Sequence, residues 1–94
     1  MLKIDYKFKD VSLRQKAMTH SSYANEHHGT HLDCNERLEF LGDSVLGFVT
    51  ADYLYTHYPE LPEGELTKLR AAVVCEGALC EIARELGIPE EIRL

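Results

Sequence analysis

The chain has 94 residues, of which 45% are hydrophobic and 28% charged, with a formal net charge of -6. That length allows one small domain with a modest core. The acidic balance argues against a lone nucleic-acid binder, which would be basic, though not against an enzyme that meets a phosphate backbone through metal ions. No apolar run reaches the length of a transmembrane helix. The first ten residues, Met1 to Asp10, alternate charge and lack the apolar block of a signal peptide, so a cytoplasmic location is expected. Cys34, Cys75 and Cys80 form no zinc pattern and suit a reducing compartment.

Apolar spacing is helical nearly throughout, with no period-two strand and no Asn-Gly or Asp-Gly hairpin turn. A first helix is predicted from Asp10 or Ser12 to Tyr23. Ser12 and Gln15 stand at capping-box spacing, and Leu13, Ala17 and Met18 face inward. A polar loop from Asn25 to Asp33 follows. The second helix opens on Asp33 or Asn35 and ends at Tyr58, before Pro59. Its predicted core face is Leu38, Leu41, Val45, Phe48 and Val49. Gly42 and Gly47 lie inside it, and close packing is the expected reason for tolerating them. A third helix begins at Pro62 and Glu63 with Leu66, Leu69 and Val73 inward. A fourth uses Leu79, Ile82, Ala83 and Leu86, and the pattern leaves open whether the two are continuous. Gly87 suits a helix C′ position and Pro89 a stop. The end, Glu90 to Leu94, reads as a further helical turn. An all-α domain follows.

Glu36, Glu39 and Asp43 fall inside the second helix on one stripe about 60° wide by helix geometry. Acids so stacked repel unless something positive lies over them. Glu39 and Asp43 are one turn apart, with Cβ atoms about 5–6 Å from each other. That spacing suits a Mg²⁺ ion, which takes one or two carboxylates and keeps several waters. Phosphodiester hydrolysis fits such chemistry. A solvated acidic face, or neutralisation by Arg37 and Arg70, is the plain alternative. His27, His28, His31 and Cys34 carry zinc-type donors, with a polar surface loop as the stronger reading. His20 beside Ser21 and Ser22 suggests a nucleophile pair less than a helix-end hydrogen bond. Lys68 and Arg70 suit either phosphate contact or a solvated basic face.

The segment Asn35-Glu36-Arg37-Leu38-Glu39-Phe40-Leu41-Gly42-Asp43-Ser44-Val45-Leu46 closely resembles the signature helix of the ribonuclease III family of double-stranded RNA endonucleases. Ala17-Met18-Thr19-His20-Ser21-Ser22-Tyr23-Ala24-Asn25-Glu26 resembles the family's preceding segment. Leu61-Pro62-Glu63-Gly64-Glu65-Leu66-Thr67-Lys68-Leu69-Arg70-Ala71 resembles the one that follows. The resemblance runs from about Tyr6 to Gly87. It implies the helical fold of the family's endonuclease domain, a homodimer, and cleavage of duplex RNA with Mg²⁺, for which Mn²⁺ can substitute. Processing of ribosomal and messenger RNA precursors is the implied role.

By position, Glu39 matches the family's metal-ligating glutamate. Asp43 matches its catalytic aspartate, which positions water and metal. Glu36 and Glu63 match acidic positions near the scissile bond, and Phe40 matches the aromatic residue that enters the partner subunit. The family's catalytic domain continues into helices bearing a second Asp and Glu that complete the metal site. Residues 1–94 are thus expected to be the N-terminal part of that domain, without those helices or a double-stranded RNA-binding domain, and weak or inactive alone. The alternative is a non-catalytic ribonuclease-III-like scaffold that dimerises or contacts RNA. A further alternative is a short form that pairs with full-length subunits and blocks them.

Overall fold

A computed structural model describes residues 2–94, which form α1 (Val11–Ala17), α2 (Ser21–Glu26), a 3-10 turn (His31–Asp33), α3 (Glu36–His57), α4 (Glu63–Val73) and α5 (Glu76–Glu85). The fold is all-α; the described residues contain no strand beyond one isolated parallel bridge between Thr19 and Arg93. No described helix is long and apolar enough to cross a membrane. α3 packs on α4, α4 on α5, and α2 on the 3-10 turn.

Local chemistry explains where each helix starts and stops. Asp10, not Ser12, caps α1: its carboxylate accepts from the Ser12 amide at 2.9 Å and from the Ser12 hydroxyl at 2.6 Å. The bond from the Ser12 side chain, aided by the amide bond, holds the Asp10 carboxyl below the usual aspartate range. The first helix does not run on to Tyr23. It stops at Ala17, and α2 restarts at Ser21 with His20 as N-cap, its Nδ1 accepting from the Ser22 amide at 3.2 Å. His20 therefore takes the helix-end role. Thr30 and Asp33 form a reciprocal capping box around the 3-10 turn. α3 ends at His57, ahead of Pro59, and α4 and α5 are separate helices broken at Val74 and Cys75.

α5 closes with a Schellman motif. Gly87 takes φ 76°, its amide donates to the Arg84 carbonyl at 3.2 Å, and the Ile88 amide donates to the Ala83 carbonyl at 3.0 Å. A side chain at Gly87 strains the left-handed backbone. Gly87→Ala is accordingly expected to destabilise the fold by about 1–2 kcal/mol, read as a lower urea midpoint with an unchanged m-value.

Two expectations fail in the packing. The end of the chain is not a helical turn: it runs back to the α1–α2 junction, where Arg93 pairs with Thr19. The predicted inward faces are also largely open. Leu41, Val45, Phe48 and Val49 on α3 are 53–73% exposed, and Leu13, Leu69, Val73 and Ile82 are exposed too. Among the described residues, buried apolar side chains are limited to Ala24, Cys34 and Leu54. The radius of gyration, 15.9 Å, exceeds the roughly 12 Å of a compact chain of this length. α3 is about 33 Å long by helix rise, and the described residues cover only part of its circumference. Periodicity identifies the apolar side of a helix correctly, but not whether this stretch of chain contains its cover. Nor are Gly42 and Gly47 packing sites, since a Cβ at either meets nothing within 4 Å.

Candidate active site

The start of α3 carries the acids. Glu36 and Glu39 sit in its first turn, where the positive end of the helix dipole favours carboxylates. Asp43 follows one turn later, and all three are exposed. Ion pairs among the described residues are Arg14–Glu91 at 3.4 Å and Lys68–Glu65 at 3.6 Å. Arg37 and Arg70 make no ion pair with Glu36, Glu39 or Asp43 among the described residues, although Arg70 shares a hollow with Asp43. Lys68 is partnered on the surface by Glu65.

α4 faces α3 through Thr67 and Arg70, which line two adjoining hollows. One, of about 240 Å³, also holds Asp43 and Gly47; the other, of about 230 Å³, holds Ala51, Leu54 and Glu63. The structure thus places Asp43 and Arg70 on one hollow and Glu63 on the adjoining one. Glu63 lies about 10 Å along the α4 axis from Arg70 by helix rise. No three His, Cys, Asp or Glu side chains among the described residues converge on a metal-sized position. His27, His28, His31 and Cys34 are accordingly not gathered as a ligand set. Cys34 is buried with its thiol turned to the His31 carbonyl, and His27 stacks on Tyr23 at 3.9 Å. Glu39 and Asp43 remain as a two-carboxylate pair, a hard-oxygen donor set of the kind Mg²⁺ accepts.

Phe40 is 81% exposed, beside the acids. Together with Leu13, Leu38 and Leu41 it lines an open hollow of about 620 Å³ between α1, the 3-10 turn and α3.

Sequence reasoning missed the contacts that hold this helix start. Asn35 is the N-cap of α3, yet its side chain makes no capping bond. Instead its amide donates to the Thr19 carbonyl at 2.9 Å, and its Nδ2 to the Ala17 carbonyl at 3.1 Å. Nothing in the local pattern announces a contact between residues so far apart in the chain.

The site is thus an acid-bearing start of α3 with an exposed aromatic beside it and α4, which carries two acids and two bases, packed against it. The family description Ribonuclease-III-like matches residues 10–94, and the chain belongs to that family. It is 61% identical over 90 residues to Ribonuclease 3 of Symbiobacterium thermophilum, covering 96% of this chain and 37% of that protein. Identity to Ribonuclease 3 of Enterococcus faecalis is 58% over 87 residues, covering 93% of this chain and 38% of that one. The fold matches the nuclease domain of ribonuclease III from Campylobacter jejuni with a TM-score of 0.84 and 42% identity, covering 95% of this chain and 58% of that domain. That domain has been described for structural flexibility in a region involved in dimer formation. The chain spans under half the length of the curated relatives it matches.

Proposed function

We propose that this chain supplies the signature-helix part of the catalytic domain of a divalent-metal-dependent endonuclease that cleaves double-stranded RNA. The observation that carries the reading is a row of exposed acids, Glu36, Glu39 and Asp43, that makes no ion pair among the described residues in a chain of this family. A pure scaffold has no use for such a repulsive row.

Glu39 and Asp43 would hold the Mg²⁺ ion, with Mn²⁺ as a substitute. When bound, the metal activates water and offsets charge developing on the phosphoryl and leaving oxygens. Asp43 also orients the attacking water, and Glu36 and Glu63 stand as acidic positions toward the scissile bond. Arg70, across the α3–α4 hollow from Asp43, is free to meet a phosphate oxygen. Phe40 enters a second copy in a homodimer. Two carboxylates are a partial metal cage, so further acids from outside these residues complete it, and residues 1–94 alone cut poorly. Processing of ribosomal and messenger RNA precursors in the cytoplasm is the corresponding cellular role.

The test uses end-labelled duplex and single-stranded RNA of the same sequence. A version of the protein extended through the whole catalytic domain cuts the duplex in Mg²⁺, spares the single strand, and loses activity in EDTA. The 94-residue chain gives at most a trace. Duplex cleavage that persists in EDTA, or no cleavage by the extended protein, overturns the reading.

A further inference from the structure

Three segments distant in sequence meet at Thr19, which is 2% exposed. The first is the α1–α2 junction itself, where the Thr19 hydroxyl donates to the Gln15 carbonyl. The second is the start of α3, tied by the two Asn35 bonds described above. The third is the end of the chain. The Arg93 amide donates to the Met18 carbonyl at 2.7 Å, and the His20 amide to the Arg93 carbonyl at 2.9 Å. Arg93 then folds its side chain over the junction. Its Nε donates to the Thr19 hydroxyl at 3.1 Å, joined by Nη2, and its guanidinium carbon stands 4.7 Å from the Tyr23 ring centroid. The cation is held by a hydroxyl and an aromatic face, with no carboxylate partner among the described residues.

We infer that Arg93 and Thr19 form a clasp that positions the first turn of α3, and through it Glu36 and Glu39. The route is short. Arg93 immobilises the Met18–His20 backbone on both sides of Thr19, and the carbonyls of Ala17 and Thr19 are then fixed acceptors for Asn35. The Asn35 carbonyl in turn receives the Glu39 amide at 2.8 Å, opening the helix. An N-cap asparagine ordinarily spends its side chain on its own helix. Here it is given to the junction instead, which makes the junction and not the cap the reference point for the acids. Arg93 and Thr19 are thus positioning residues. Their bearing on catalysis rests on the proposed function, whereas the clasp does not.

Amide hydrogen exchange followed by NMR on the purified chain tests it, with Arg93→Met, Thr19→Val and the conservative Arg93→Lys. The first two are expected to raise exchange at Asn35 and Glu39 about tenfold while leaving the α4 amides of Leu66 to Arg70 unchanged. Arg93→Lys, which can still donate to the Thr19 hydroxyl, should remain within about threefold of the parent. Unchanged exchange at Asn35 and Glu39 overturns the clasp. So does an equal rise throughout α4 or outright unfolding, either of which marks general destabilisation. A Lys variant as damaged as the Met variant also overturns it.

Mn²⁺ line broadening at Glu39 and Asp43 supplies a separate arm, expected to report about fivefold weaker affinity in Arg93→Met. Equal affinity, with exchange raised, removes the effect on the acids. No broadening in the parent chain counts against the metal reading alone, and the exchange result then decides the clasp.

Discussion

Asp43→Asn is expected to abolish the proposed duplex cleavage in the extended protein while leaving the helices intact. The exchange keeps the size of the side chain and removes its charge. Asp43 is exposed, touches no Lys or Arg at ion-pair distance, and caps no helix, so the folded state loses little. A surface change of that kind stays within about 0.5 kcal/mol of the parent. The reaction fares differently. Stabilisation of developing phosphoryl charge by a bound metal is worth several kcal/mol, and about 1.4 kcal/mol corresponds to each tenfold in rate. A drop of about a thousandfold or more is expected, read as single-turnover cleavage under saturating Mg²⁺ with circular dichroism as the fold control. Activity within about tenfold of the parent removes Asp43 from the chemistry. Glu65→Gln is the matched control: it deletes a neighbouring surface charge that pairs with Lys68, and it leaves cleavage unaltered.

Phe40→Ala is expected to weaken the proposed homodimer. The ring is 81% exposed in the single chain and faces the open hollow with Leu38 and Leu41, so its loss leaves the isolated fold nearly as stable as before. Burying a phenylalanine against another surface contributes about 1.5–3 kcal/mol. In a two-fold dimer each substitution occurs twice across the interface. The dissociation constant for self-association is then expected to rise at least about a hundredfold, at about 1.4 kcal/mol per tenfold. Sedimentation equilibrium over a concentration series measures it. An unchanged constant places Phe40 outside the interface. A large fall in urea midpoint for the monomer makes it an intrachain core residue instead.

The sequence was most informative where the physics is local. A 3.6-residue apolar period, Asn35 at the head of the signature segment and Pro59 after Tyr58 are enough to delimit α3 within about three residues. Gly87 announced the α5 stop for the same reason: its left-handed φ is a property of one residue. The common stripe of Glu36, Glu39 and Asp43 is likewise a consequence of helix pitch alone, whereas the lack of an ion pair from Arg37 or Arg70 to it needed coordinates. Non-local features stayed hidden. The break at Met18 to His20 interrupts an acceptable helical pattern, because it is enforced by Asn35 and Arg93 from other parts of the chain. The open face of Leu41, Val45, Phe48 and Val49 was equally illegible, since apolar periodicity describes one surface and says nothing of its cover. Glu63 shares the family's acidic wording with Asp43, but only the α3–α4 packing shows that the two line different hollows.

The Thr19–Arg93 contact also sets an order on birth at the ribosome. Thr19 is synthesised well before its partner, since the residue whose guanidinium donates to its hydroxyl is 74 positions later. At about 5–20 residues per second that gap lasts several seconds. Throughout it α1 and α2 are joined by an unsecured elbow, and the signature helix emerges onto a foundation not yet set.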